Sequence, residues 1–207
     1  MKPSAKFWDG AAQKYARQPV RDEGAYAQTL DRIRSYLKSD DKVLEVGCGT
    51  GSTALTLAPQ VEHLHATDLS QRMIDIAQGK ARAQEAGNVT FSTMAVGPGV
   101  DAGGPFDVVM GLNLLHLVED LQGALAAMAA QTAEGGLLIT KTVCLGEKPG
   151  IWRLVLPVMQ FIGKAPFVHF LKIADLDRAI EQAGFEIIET GNYPASPPSH
   201  FVVARKR

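Results

Sequence analysis

The stretch Lys42-Val43-Leu44-Glu45-Val46-Gly47-Cys48-Gly49-Thr50-Gly51 decides the fold. A short β-prone apolar run meets glycines at alternate positions, 47, 49 and 51. Glycine lets a backbone turn tightly and approach a ligand where a Cβ would collide. Ser52 to Ala58 reads as the start of a helix, so its free N–H groups face back into the turn. Strand, glycine turn and helix form the opening of a nucleotide-binding α/β unit. A plain strand-to-helix turn does not need this glycine spacing together with a strand-end carboxylate, Glu45.

Outward from that stretch the chain alternates. His63 to Asp68 reads as a second strand ending in a carboxylate about 20 residues beyond the second glycine. Ser70 suits the N-cap of the next helix, whose stripe is Met73, Ile74, Ala77 and Ala81, stopped at Gly87-Asn88. Val89 to Phe91 is a short third strand. Gly97 to Pro105, rich in glycine and proline, is expected to be a mobile loop. Phe106 to Gly111 is the fourth strand, Glu119 to Gln131 a helix, and Leu137 to Val143 the fifth strand after the punctuation of Gly135-Gly136. Asp175 to Ala183 is the last helix. Phe185–Thr190 and Phe201–Ala204 close the chain, joined by a Pro/Ser loop of about ten residues, too short for a crossover helix and therefore antiparallel. The fold class is α/β: a doubly wound, mostly parallel sheet with an antiparallel strand at its C-terminal end.

Two segments stand outside this alternation. Residues 1–39 form a helical leader, with the aromatic stretch Phe7-Trp8-Asp9 to Tyr15 and a helix marked by Tyr26, Leu30, Ile33 and Leu37. Residues 145–172 read as an inserted apolar lid carrying Trp152, Leu154, Val155, Met159, Phe161 and Phe167. Apolar residues so concentrated suggest an apolar small molecule or a buried partner surface, against the plainer reading of ordinary core packing for about half of them.

Bulk properties exclude several classes. A chain of 207 residues with 46% hydrophobic content can bury one substantial core. A net charge of −1 provides no global field for nucleic acid. No apolar run approaches the ~20 residues of a membrane-spanning helix. The N-terminus lacks the apolar segment of a secretory signal. Cys48 and Cys144 fit a reducing compartment, so a cytoplasmic location is expected.

Taken together, residues 40–207 resemble the class I S-adenosylmethionine-dependent methyltransferases. The carrying residues are Glu45 to Gly51, Asp68 closing the second strand, Phe106-Asp107-Val108-Val109 with Asn113 and His116, and Ala183-Gly184-Phe185 before a strand. Within that class the chain looks most like the small-molecule enzymes of the ubiquinone/menaquinone-biosynthesis type. The resemblance implies a Rossmann-like seven-stranded sheet, a domain spanning 40–207, the cofactor S-adenosylmethionine (SAM), and the product S-adenosylhomocysteine. It also implies roles. Gly47, Cys48, Gly49 and Gly51 form the turn around the methionine and ribose, with Glu45 supporting the loop or binding near the amino group. Asp68 accepts the ribose hydroxyls, and Leu69 and Met73 flank the adenine. Leu112 and Asn113 line the methionine side and the substrate entrance, and Tyr15 folds over the donor as leader aromatics do in some relatives, or else anchors the leader by hydrophobic packing. Relatives usually hold the adenine amino group with an acid or amide after the third strand. Here that place falls on Met94-Ala95-Val96, leaving backbone groups of Ala95 and Val96.

Methyl transfer from a sulfonium is an in-line displacement that depends on alignment more than on acid–base machinery. His116 is the candidate base, against the plainer reading of a histidine packing or capping the next helix. His63 and His65 share a strand face without a third ligand at metal-binding spacing, so no metal is expected. Two rivals remain. Gly49-Thr50-Gly51-Ser52-Thr53-Ala54 also matches a loose dinucleotide fingerprint, which would make the chain a nicotinamide-dependent oxidoreductase. A donor pocket without turnover would make it a non-catalytic SAM-binding module.

Overall fold

The computed structural model describes residues 3–147 and 150–207. Its strands are β1 (Lys42–Val46), β2 (His63–Asp68), β3 (Val89–Thr93), β4 (Phe106–Leu112), β5 (Thr132–Val143), β6 (Phe185–Ala195) and β7 (Pro198–Lys206). They form one seven-stranded sheet in the order β3-β2-β1-β4-β5-β7-β6. The pairings from β3 through β5 are parallel, and β7 runs antiparallel to both β5 and β6. The strand order reverses between β1 and β4, so a crevice opens beyond their carboxyl ends.

The helices are α1 (Pro3–Ala16), α2 (Glu23–Arg34), α3 (Ser52–Leu57), α4 (Gln71–Ala83), α5 (Leu121–Gln131), α6 (Trp152–Phe161) and α7 (Ile173–Gln182); α2, α3 and α4 cover one face of the sheet and α5 and α7 the other. Strands buried on both faces need apolar side chains at successive positions. Accordingly Val43, Met110, Ile139 and Val203 belong to one core with α2, α3 and α4. Leu44, Val46, Val109, Leu138 and Val202 belong to the other, with α5 and α7.

Three boundaries differ from the sequence reading. Gly135 and Gly136 lie inside β5 rather than before it: Thr132 already pairs with Phe106, and the register shifts before Val108 pairs with Leu137. Gly136 is a close-approach position there, since a Cβ would sit 2.9 Å from the carbonyls of Ala133 and Asp107. The closing strands are longer than expected, and only Ser196 and Pro197 separate them. Prolines look like strand breakers, but Pro194 sits on the sheet's edge strand and Pro198 opens β7, where a missing donor is tolerated. The fourth strand ends at Leu112, after which Asn113 takes a left-handed conformation (φ 55°) and Leu115–Leu117 makes one tight helical turn. The helix expected from Glu119 begins at Leu121, with Asp120 as its N-cap, and ends at Gln131 as expected.

The Gly97–Pro105 loop is held by the side chains of Gln131 and His65, whose Nδ1 lies 3.1 Å from Ala102 O. Gln131 accepts from Ala102 N (3.1 Å) and donates to Val100 O (3.3 Å). The 145–172 segment contains a tight turn at Leu145–Glu147 and then α6. Leu154 and Phe161 of α6 are 75% and 92% exposed, so they are not core residues. The side chain of Trp152 lies outside the described part of the structure.

Candidate active site

The glycine turn and the end of β2 are stitched into one unit. Gly49 N donates to Oδ2 of Asp68 over 2.9 Å, and Ser70 N donates to Oδ1 over 2.9 Å. Cys48 N donates to Thr67 O over 2.9 Å. The Asp68 carboxylate is buried, and that desolvation raises its pKa, opposed by the two amides it accepts.

The three glycines do different things. Gly51 (φ 74°) precedes α3, and a Cβ there would lie 2.7 Å from both Ala77 Cβ and Phe91 Cε1, so it is a packing glycine. A Cβ on Gly47 would strike Leu114 Cδ1 at 2.7 Å. Gly49 (φ 56°) has room, with only Tyr15 Cε1 at 3.6 Å, and faces a cavity of about 500 Å³ at the crevice.

That cavity collects most of the residues singled out in the sequence. Gly47, Gly49, Asp68, Leu69 and Met73 line one side, Ala95 and Val96 another, and Leu112 and Asn113 the wall after β4. Tyr15 lines it from the end of α1. Its ring is half exposed, yet its hydroxyl is held above the usual phenol range by desolvation first, then by the Asp68 and Glu45 carboxylates. Glu45, Cys48, Gly51 and His116 do not line the cavity. Glu45 lies beneath the turn, 2% exposed, with Oε2 lacking a hydrogen-bond partner. Burial, reinforced by Asp68, pushes its pKa up to about 8. Burial also holds the Cys48 thiol well above its ordinary range, which leaves it a poor nucleophile. His116 is in the turn after Asn113, its Nδ1 unpartnered, and desolvation takes its pKa down to about 4. His63 and His65 spend their ring nitrogens on Thr90, Ser92 and the Ala102 carbonyl.

Other lining residues were not singled out. Ser4 and Trp8 join Tyr15 from α1. Their spacing puts all three on one helical face, a signal the sequence did carry. Leu114, Leu117, Val118, Glu119 and Asp120 come from the turn after β4. Asp9 fastens α1 in place: Ser70 Oγ donates to Asp9 Oδ1 (2.6 Å), as does Arg72 N (3.3 Å). The Ser70 hydroxyl is the main reason the Asp9 pKa is lowered. Asp9 thus sits as an anion at the N-terminus of α4, where the helix dipole favours it. Lys141, buried near the end of β5 and outside the cavity lining, donates to Thr29 Oγ1 of α2 over 2.9 Å.

The electrostatics of the cavity are one-sided. Among the described residues its lining carries Asp68, Glu119 and Asp120 and no Lys, Arg or His. Such a pocket favours a cation. Beside the carboxylates, Trp8, Leu112, Leu114, Leu117 and Val118 add apolar surface to the lining.

A family model described as a methyltransferase domain matches residues 16–190. The chain is 29% identical over 181 residues to the magnesium-protoporphyrin O-methyltransferase of Synechocystis sp., covering 80% of this chain and 74% of that protein. It is 25% identical over 151 residues to a ubiquinone biosynthesis O-methyltransferase of Coxiella burnetii, covering 71% of this chain and 64% of the relative, less than two thirds of its length. The solved structure of magnesium protoporphyrin IX methyltransferase from Synechocystis PCC 6803 with bound SAM shares the fold, with a TM-score of 0.74 at 21% identity, covering 100% of this chain and 98% of that one.

Proposed function

Because the chain belongs to the methyltransferase-domain family, we propose that it carries a methyl group from SAM to a small, apolar acceptor by in-line displacement, leaving S-adenosylhomocysteine. The observation that carries this reading is the acidic, cation-free cavity built on the glycine turn. A sulfonium donor with an ammonium group is the kind of ligand such a cavity favours. The family match, which spans that turn, takes the place of the nicotinamide alternative.

In this reading Gly47 and Gly49 wrap the methionine portion, Asp68 accepts the ribose diol, and Leu69 and Met73 flank the adenine. The ribose hydroxyls suit Asp68 because each carboxylate oxygen has acceptor capacity beyond the one backbone amide it takes. Backbone groups of Ala95 and Val96 meet the adenine edge. Glu45 supports the turn from below and complements the donor's ammonium, while Cys48 and Gly51 shape the turn. Leu112, Asn113 and Tyr15 close over the methyl, and the apolar wall from Trp8 to Val118 receives the acceptor. Residues 1–39 act as a cap on the 40–207 domain, and 145–172 borders the acceptor's entrance. The free cysteines Cys48 and Cys144 suit a cytoplasmic setting.

Alignment of donor and acceptor can supply up to roughly 7–11 kcal/mol of the barrier. His116 is the one candidate base. With a pKa near 4 it is neutral at pH 7 but weak, so alignment carries most of the catalysis. The test is calorimetry with SAM and with NADH, followed by a transfer assay over phenolic, quinol and carboxylate acceptors with S-adenosylhomocysteine as readout. Tight NADH binding without SAM binding defeats the reading, and SAM binding with no turnover on any acceptor class reduces the protein to a donor-binding module.

A further inference from the structure

The 145–172 segment presents an apolar surface that neither the core nor the cavity uses. On α6 and its two caps, Ile151, Leu154, Val158, Phe161 and Ile162 are all exposed. At 3.6 residues per turn they fall within about 100° of the helix circumference. The other side of the helix, with Val155, Leu156 and Met159, is half-buried. Isolated apolar residues on a surface need no explanation, but a contiguous stripe marks an interaction site.

The charge around this stripe identifies what it meets. From Gly150 to Ala174 the chain carries Arg153, Lys164 and Lys172 and no Asp or Glu, in a protein whose net charge is −1. An apolar helix face with basic flanks is the pattern of a helix lying in the headgroup region of an anionic membrane. Among the described residues no helix is long and apolar enough to cross a membrane. The segment's base is stapled by Gly146 N to Leu171 O (2.8 Å) and Ile173 N to Glu147 Oε1 (2.9 Å). It is tied to the cavity's rim by His169 N to His116 O (2.8 Å) and by the His169 ring to Glu119 O (3.2 Å).

We propose that α6 docks on an anionic lipid surface, inserting its Ile151–Ile162 stripe among the headgroups and so placing the cavity's rim beside the bilayer. A second copy of the chain could cover an apolar stripe, but like copies would bring two basic flanks together, whereas anionic lipid neutralises them.

Flotation of the full chain with phosphatidylcholine vesicles, with and without phosphatidylglycerol, tests this. The expected result is binding to the anionic vesicles that weakens with added salt. Leu154→Glu combined with Phe161→Glu lowers partitioning by roughly tenfold or more, and Arg153→Gln with Lys164→Gln weakens it on anionic vesicles. Circular dichroism and thermal melting confirm that the variants fold. The proposal is overturned if anionic vesicles capture no protein, if neutral vesicles capture as much, or if the Glu variants float like the parent. It is equally overturned if the stripe instead mediates a dimer by sedimentation without vesicle binding. Methyl transfer is not part of the readout, so failure here leaves the methyltransferase reading standing.

Discussion

Gly49 donates its amide to the carboxylate of Asp68 over 2.9 Å, across 19 residues of sequence. With Cys48 N donating to Thr67 O beside it, this bond joins the glycine turn to the end of β2, and the proposed ribose ligand is also a buckle of the donor site. Removing the carboxylate should act on both. Asp68→Ala is expected to weaken SAM binding by about 1.5–3 kcal/mol, the scale of hydrogen bonds to charged groups, and to lower the melting temperature. Calorimetry checks the first and a thermal scan the second. An unchanged Kd removes Asp68 from the ligand's reach.

The glycines of the turn should separate by phenotype. Gly51→Ala forces a methyl against Ala77 and Phe91 from a left-handed backbone, and should destabilise the fold by about 2–4 kcal/mol from overpacking and backbone strain together. Gly49→Ala has space and should cost only the strain of about 1–2 kcal/mol, with its larger effect on donor affinity. Equal destabilisation by the two substitutions, measured by urea denaturation, contradicts this division.

Glu45 makes stability depend on pH. Its pKa in the fold is about 8 against an ordinary 4.5, chiefly through burial. Between those values the folded state holds a proton that the unfolded state releases. Its contribution is therefore greatest below about pH 4.5 and declines as pH rises toward 8. Glu45→Gln should flatten that part of the profile and raise relative stability near pH 8. A donor ammonium favours the ionised form, so SAM binding at neutral pH should release a proton, seen as a calorimetric heat that varies with the buffer's ionisation enthalpy. Heat independent of buffer separates Glu45 from the donor.

His116, with its pKa near 4, should matter little as a base. His116→Gln is expected to lower kcat by less than about tenfold, whereas a working general base contributes roughly 10²–10⁴. A drop of the larger size, with KM unchanged, would restore it to the chemistry.

Asp9 should control the leader. Its lowered pKa means that the carboxylate's hold on Ser70 and Arg72 is present above the ordinary carboxylate range and fades as pH falls through the folded-state value. Asp9→Ala should loosen α1, increase tryptophan accessibility to a quencher and raise the Kd for SAM. Quenching identical to the parent's would show that α1 is held by other contacts.

Local rules made the sheet legible from the residues. Glycine spacing, the carboxylate after His63–Thr67 and the 3.6-residue stripe of α4 act within a few positions of one another, so the chain states them directly. The doubly wound sheet follows from the alternation of strands and helices, and the antiparallel β7 from a short loop. Strand ends in such a sheet converge on its crevice, which brings Gly47, Gly49, Asp68, Leu69, Ala95, Val96, Leu112 and Asn113 to one cavity; Met73 joins from α4 and Tyr15 from α1.

Only the tertiary structure decided what depends on distant partners. The tie from Asp9 to Ser70 spans 61 residues, and that from Lys141 to Thr29 spans 112. The β5 bulge needed the close approach of Asp107 to Gly136, and the long terminal hairpin needed an edge position that tolerates proline. The stripe on α6 is apolar in sequence like any core helix, and it took the folded chain to leave that stripe in solvent. Backbone sterics and periodic burial are properties of neighbouring residues. Which carboxylate meets which hydroxyl, and which apolar face stays uncovered, is set by how whole elements pack.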